Sequence, residues 1–376
     1  MVGNIKIANI LEKFNEVGNE VLIELREHGA STKKSSDPRK YGAQEAAHIL
    51  GRSLPWLRDN SRHIEISGNG RRYYTLQDLW DLREAGGLIY QKPEGKKAIK
   101  KVVANFKGGV GKSTTVIHEA HYMATYKGMK VLVIDLDPQA STTFCISTMI
   151  PDLDVAHEDT IVDSLTSDVS LCADIFRGTY IPGVDFIPAN LSLQALDMML
   201  LNADDENIDR LGPIHTRLDS VLKLVDEHYD LILIDCPPNM GMVTANAITA
   251  ANAMTLPIPP ALYDVGSAIL FNKTISQFLE QSGKELDYFK VLLTKHPESA
   301  ASKRNESRIR QIFGDYVYGG SIVATTEFEK ASENFTTVYD INREMTSKKV
   351  YERALESLNE VHEEMFADYQ SLMGNE

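Results

Sequence analysis

No stretch of this sequence approaches the roughly 18 consecutive apolar residues that a membrane-spanning helix requires. The opening residues, MVGNIKIANILEKFNEVGNE, carry acidic side chains where a secretory leader needs an unbroken apolar centre. Both absences lead to the expectation of a cytoplasmic protein. Cysteine is scarce: Cys145, Cys172 and Cys236 show no metal-ligand spacing and cannot all pair with one another, so reduced thiols are expected rather than a disulfide framework. Positive charge is short overall, with a net charge of −14. The shortage is uneven, because residues 33–101 hold 15 Lys/Arg against 8 Asp/Glu while the rest holds 24 against 45. A separate basic module suited to phosphate backbones follows from that asymmetry.

What is present is ordinary for a globular chain: 43% hydrophobic and 24% charged residues in a length of 376, enough for more than one domain. One stretch stands out. Lys107-Gly108-Gly109-Val110-Gly111-Lys112-Ser113-Thr114 follows the apolar run 102–106 and precedes a helical segment. Glycines let a backbone wrap an anion and point its N–H groups inward, and the following helix adds its positive dipole end. Lys112 would reach outer phosphates and the Ser113 hydroxyl a Mg²⁺ ion. The common pattern GxxxxGK[ST] fails, since its first glycine position is Phe106; the variant KGGxGK[ST] fits, with Lys107 opening the loop.

Along the chain, Ile7, Ile10, Leu11, Phe14, Val17, Val21, Leu22 and Leu25 recur at helical spacing, an apolar stripe suited to self-association over residues 1–30. A polar linker follows. Residues 43–50 and 54–60 read as two short helices joined at Gly51, with Ser53 as N-cap and Pro55 in the first turn. Residues 64–66 and 72–74 alternate around Gly68-Asn69-Gly70, a hairpin signal, and Thr75 caps a third helix. This is the pattern of a winged helix-turn-helix at residues 41–90. Ser53, Arg58 and Arg62 then lie on or after the recognition helix, with Trp56 and Asn60 beside them, and Arg71 and Arg72 on the wing. Arginine there reads guanine edges or holds phosphates, and the sequence does not separate the two roles.

Residues 93–101 read as a basic linker into the second domain, residues 98–376. There, continuous apolar strands at 130–135, 184–188, 230–235, 253–258 and 289–294 alternate with helices, so the fold class is α/β with a mostly parallel, doubly wound sheet. Ligands bind at the carboxyl ends of such strands. Two of them end in carboxylates, Asp135-Leu136-Asp137-Pro138-Gln139 and Asp235-Cys236-Pro237-Pro238. Asp235 suits the water shell of Mg²⁺. An acidic helix over 351–373 closes the chain.

KGGVGKST, DLDPQAS and LILIDCPPN, in that order over residues 102–340, resemble the deviant Walker A ATPases of the ParA/MinD type, within the P-loop NTPase fold. The resemblance implies ATP/ADP and Mg²⁺ as cofactors, with Lys107, Lys112 and Asp137 catalytic: Asp137 positions the attacking water and Lys107 crosses to a partner's nucleotide in a homodimer. Lys107 to Thr114 would hold the nucleotide, and Ser113, Asp135 and Asp235 the metal site. The adenine pocket falls near Thr294-Lys295 and the segment 257–264. With its N-terminal helix and winged module, the chain resembles the larger (type Ia) plasmid and phage partition ATPases. That resemblance implies as partners a ParB-type centromere-binding protein, operator DNA bound as an autorepressor, and chromosomal DNA bound without sequence preference, with a nucleoid location. Lys330 is the leading candidate for that last contact, ahead of Lys295, Lys303, Arg304, Arg308 and Arg310. A membrane-positioning relative would carry a basic C-terminal helix, and this one is acidic. The competing reading is a nucleotide-sensing repressor without significant hydrolysis.

Overall fold

The computed structural model describes residues 39–147, 149–341 and 347–374, together with the helical positions 17, 18, 20, 21, 23, 24 and 27. The expected self-association helix at 1–30 otherwise lies outside the described residues. At those helical positions Val17 and Val21 are exposed.

The first elements are Tyr41–Gly42 (β1), Ala43–Ile49 (α1) and Leu54–Asn60 (α2). Gly51 makes the turn between the helices at φ 61°, a conformation other residues rarely adopt. Ser53 caps α2 by accepting from the Trp56 amide at 3.3 Å. The hairpin is slighter than its alternation suggests: Ile66 and Arg72 form a single antiparallel bridge. Tyr73–Tyr74 (β2) pairs instead with β1. That pairing buries Tyr74, whose hydroxyl meets the buried Ser61 hydroxyl at 2.9 Å. Thr75 and Asp78 then form a reciprocal cap that starts Leu76–Ala85 (α3).

Helix α3 has two working faces. Leu76, Leu79 and Leu82 join Tyr41, Ile49, Leu57 and Tyr74 in a small core, while Trp80 belongs to the core of the following body. Its ring lies so close to Gly183 that a β-carbon there would fall 2.2 Å from it. Arg83, also buried, donates to the carbonyls of Ile49 at 2.6 Å and of Thr125 and Tyr126 at 2.8 Å. One guanidinium thus satisfies carbonyls at the ends of two helices that belong to different parts of the chain.

The body is an eight-stranded sheet ordered β10-β9-β8-β3-β7-β4-β6-β5. Its strands and the helices used below are Ile99–Val103 (β3), Lys112–Lys127 (α4), Val131–Asp135 (β4), Ser141–Ile146 (α5), Arg177–Gly178 (β5), Val184–Ile187 (β6), Leu196–Leu201 (α6), Leu231–Asp235 (β7), Met242–Ala250 (α7), Ala253–Ile258 (β8), Leu262–Ser282 (α8), Tyr288–His296 (β9), Ala300–Phe313 (α9), Val317–Val323 (β10), Glu327–Glu333 (α10) and Lys348–Met373 (α11). Every pairing is parallel except β5 with β6. Alternate residues of one strand feed cores on opposite faces, Ile232 and Ile234 to one and Leu231 and Leu233 to the other, as a doubly covered sheet demands.

Two boundaries differ from the sequence expectation. β3 begins at Ile99, inside the stretch that reads as a basic linker. Its Lys101 is completely buried, 3.0 Å from Glu119 on α4 and 2.9 Å from the Tyr369 hydroxyl on α11, so a charged residue occupies a core position by pairing there. β10 was not anticipated, because Gly319 and Gly320 interrupt its apolar pattern. Those glycines give α11 room: their amides donate to the Glu364 carboxylate at 2.8 and 2.6 Å. Among the described residues, no helix is long and apolar enough to cross a membrane.

Candidate functional site

The sheet order puts the chemistry together. In register, Val103 of β3 sits beside Asp235 of β7, and Asp235 beside Asp135 of β4, so three loops leave neighbouring strand ends. The first loop needs its glycines: Gly109 and Gly111 adopt φ of 73° and 94°. Asn105 pins its base, donating to the Pro257 carbonyl at 2.9 Å and accepting from the Lys107 amide at 3.0 Å. Val110 is buried, and its carbonyl accepts from the Thr294 hydroxyl at 2.7 Å. Gly108 and Gly109 are exposed at the rim.

Lys112 opens α4, largely buried, with its ammonium 3.4 Å from the Lys107 carbonyl across the loop. Ser113 and Thr114 follow, half-buried. Lys107 points the other way: its ammonium pairs with Asp264, in the first turn of α8, at 2.5 Å. The two lysines therefore serve opposite edges of one loop.

The carboxylates are unequal. Asp235 is fully buried; its Oδ2 accepts from the Thr142 hydroxyl at 2.7 Å, and its Oδ1 has no hydrogen-bond partner. Burial raises its pKa, opposed by the nearby Ser113 and Thr142 hydroxyls and the Lys112 ammonium. Asp135 is equally buried, and burial reinforced by the charge of Asp235 raises its pKa as well. Both of its oxygens are engaged: Oδ2 accepts from the Thr143 amide and hydroxyl at 2.8 Å, and Oδ1 from the Asp137 amide at 3.1 Å. This carboxylate braces the loop that carries Asp137 and the start of α5. Asp137 is half-buried and shapes its own turn, accepting from the Gln139 amide at 3.0 Å.

The residues present suit a hard divalent cation. Asp235 Oδ1, buried without a hydrogen-bond partner, is costly unless a cation or its water shell meets it. Mg²⁺ keeps several waters and takes one or two protein oxygens plus phosphate, and the Ser113 hydroxyl and Asp235 carboxylate are oxygens of that kind.

Beside the loop opens a cavity of about 720 Å³, bordered by Gly111, Thr115, Thr294, Lys295, Phe328 and Glu329. Thr294 and Lys295, at the end of β9, line it. The segment 257–264 does not border this cavity, whose far wall is the end of β10 and α10. The sequence carried no signal for that wall, because neither element bears a motif. Two histidines were also missed. His118 Nδ1 lies 2.8 Å from the Thr114 carbonyl and its Nε2 accepts from the Val338 amide at 3.1 Å, so the ring is held neutral; His121 meets the Thr337 hydroxyl at 2.7 Å.

Of the residues placed in the N-terminal module, Arg58 and Arg71 are exposed on α2 and the bridge loop. Arg62 is exposed and paired with Asp59 at 3.0 Å. Arg72 is half-buried and braces the bridge by donating to the Ile64 carbonyl at 3.0 Å, while Ser53 serves as the helix cap. Gln44, Arg58, Arg71, Arg72 and Tyr73 border a groove of about 550 Å³. In the body, Lys330 is ion-paired with the buried Glu327 at 2.8 Å, and Arg310 is held by Glu306 and two carbonyls. Lys295, Lys303, Arg304 and Arg308 are exposed.

Residues 98–288 match the family described as AAA domain. A curated relative, "Putative replication protein A" of Rhizobium rhizogenes, is 30% identical over 87% of this chain and 86% of its own length. Among solved structures, a "putative plasmid partition protein" of Borrelia burgdorferi bound to AMPPNP is 26% identical, covers 69% of this chain and 98% of its own, and superposes with a TM-score of 0.53. A second, "Partition Protein", is 19% identical, covers 96% of this chain and 99% of its own with a TM-score of 0.65, and bears on the fold alone. Matched across half its length by the family and across most of it by a relative, this chain belongs to the ParA/MinD-like family of P-loop ATPases.

Proposed function

We propose that the chain is a Mg²⁺-dependent ATPase of DNA partition that also represses its own operon. The observation that carries this reading is the grouping of the buried Asp235 carboxylate with the Ser113 hydroxyl and the Lys112 ammonium at the end of the glycine loop. Loop amides and Lys112 hold the phosphates, and the cavity at Thr294 and Phe328 receives the base. Mg²⁺, when bound, neutralises charge on the outer phosphates. Ser113 and Asp235 hold its coordination sphere, and Asp137 orients the attacking water, its loop fixed by the Asp135 carboxylate. Lys107 leaves Asp264 to reach the nucleotide of a second copy, which makes ATP the glue of a homodimer.

The N-terminal part, as a winged helix-turn-helix over residues 41–90, contributes operator recognition through Arg58, Arg62 and Arg71, with Arg72 and Ser53 as supports. Residues 1–30 would pair two such modules, and residues 98–376 form the ATPase. The ATP-bound dimer binds chromosomal DNA without sequence preference, Lys330 being free to do so only once Glu327 releases it. A centromere-bound ParB-type protein then stimulates hydrolysis.

The deciding experiment measures phosphate release with Mg²⁺-ATP, alone and with DNA and the cognate centromere-binding protein. Stimulated release supports the partition reading. Intact operator binding with no release under any condition would favour a nucleotide-sensing repressor.

A further inference from the structure

Helix α10 forms one wall of the cavity beside the glycine loop. Phe328, Glu329, Ser332 and Glu333 border it, at the spacing of one helix face. The helix closes in an uncommon way. The Phe335 amide donates to the Ser332 carbonyl and the Thr336 amide to the Ala331 carbonyl, each at 3.0 Å, the pattern of a helix end whose closing residue turns left-handed. Glycine usually fills that place; here a buried phenylalanine holds φ 52°. A bulky residue kept in a backbone that disfavours it points to a need for its side chain.

The neighbours of the ring supply that need. Its centroid lies 4.4 Å from that of Phe144 on α5, and close by Cys145 Sγ lies 3.7 Å from the Ser332 hydroxyl. Helix α5 has six residues, and the two before Phe144 hold the carboxylates of the site: Thr142 donates to Asp235 at 2.7 Å and Thr143 to Asp135 at 2.8 Å. The helix starts from Ala140, buried at φ 51°, whose amide donates to the Asp137 carbonyl at 2.8 Å. Cavity wall, Phe335, α5 and the Asp137 loop therefore form one packed line. Among the described residues three non-glycines have positive φ, and they mark that line: Lys295 at the cavity, Phe335 at the joint and Ala140 in the loop.

We propose that Phe335 is a positioning residue that couples entry of the nucleotide's base into the cavity to the setting of the loop that carries Asp137, so that turnover depends on the base and not on the triphosphate alone. A base against Phe328 and Ser332 fixes α10, and the two stacked phenylalanines pass that constraint to α5 and its start at Ala140. The effect on turnover rests on the ATPase reading above; the effect on α5 requires only that the base enters the cavity.

The test gives the full chain Mg²⁺-ATP or Mg²⁺-ribose 5-triphosphate, which lacks the base, each at saturation. Phosphate release is expected to be at least about tenfold faster with ATP. Phe335→Gly suits the left-handed helix end and removes the ring; it is expected to lower the ATP rate to that of the base-free substrate, and to leave the base-free rate and the KM for ATP within about twofold of wild type. Phe144→Ala removes the half-buried ring across the contact and gives the same loss, which the double variant does not deepen. Equal rates with both substrates in the wild type, an undiminished ATP advantage in Phe335→Gly or Phe144→Ala, or a loss shared equally by both substrates, which a merely structural role would produce, each overturns the proposal. Hydrogen exchange at the amides of residues 143–146 reads the relay without turnover. ATP is expected to slow it at least about threefold more than ribose 5-triphosphate in the wild type, and no more than it in Phe144→Ala. A chain that releases no phosphate under any condition fails the ATPase reading, and exchange still decides the relay: equal slowing by both ligands in the wild type overturns it.

Discussion

The Lys107 ammonium lies 2.5 Å from the Asp264 carboxylate of its own chain, so the lysine that opens the glycine loop is restrained within the chain. Lys107 is 39% exposed and Asp264 9%, which makes this a half-screened pair worth on the order of 1 kcal/mol. Asp264→Asn is expected to tighten ATP-dependent self-association about fivefold in sedimentation experiments, and Lys107→Ala to abolish it. Equal dimerisation of Lys107→Ala and wild type would remove the cross-subunit role.

Asp137→Ala should retain ATP binding, since neither the loop nor Asp235 depends on that side chain, and lose at least about a hundredfold in stimulated phosphate release. Equilibrium binding of a fluorescent nucleotide and single-turnover release separate the two effects. Full stimulated hydrolysis in this variant would move the water-positioning role elsewhere.

Acid should unfold this chain through its buried imidazoles. Burial lowers the pKa of His118 to about 4, and those of His121 and His362 fall well below the usual value. In the unfolded chain an imidazole titrates near about 6.5. Between those values the unfolded state takes up a proton that the folded state refuses, so stability declines as pH drops from about 6.5 towards 4 and is flat, for these groups, above it. Urea midpoints across that range are expected to fall, and His118→Gln to flatten the slope by up to one proton.

The motif residues were legible because their chemistry leaves a local mark: glycines where φ must be positive, lysines beside them, and aspartates at the ends of apolar runs. The relations between them were not. Nothing near Lys107 in the chain announces Asp264, and nothing near Asp135 announces that Thr143 occupies its Oδ2. β3 was placed too late because Lys101 is charged, and only the fold supplies the Glu119 that lets it sit in the core. β10 was missed because its glycines serve the packing of α11 rather than a turn. The cavity beside the glycine loop draws its far wall from late segments with no pattern of their own.

Lys101 and Glu119 test how such a buried pair behaves. Lys101→Met alone leaves Glu119 charged in the core and should cost about 3–5 kcal/mol, whereas Lys101→Met with Glu119→Gln should recover most of it. Denaturant titration of the two variants measures the difference. Equal losses would mean that packing of the lysine stem, rather than the charge, holds the site.

On the proposed operator face, Arg58→Ala and Arg71→Ala are each expected to weaken operator binding about tenfold without altering nucleotide affinity. Arg72→Ala should instead destabilise the bridge that its guanidinium supports. Electrophoretic shift at several salt concentrations distinguishes a base contact from a phosphate contact, because only the latter lowers the salt slope.

Arg83 donates to carbonyls of both the small N-terminal helical core and the sheet-bearing body, and Trp80 occupies a notch that only a glycine at 183 leaves open. A recombination event that exchanged the first ninety or so residues for those of a relative would strand these groups unless the incoming segment brought its own arginine and tryptophan in register. The two parts are therefore expected to be inherited together, and a hybrid chain assembled from two relatives should betray its seam at this arginine before it fails at the glycine loop.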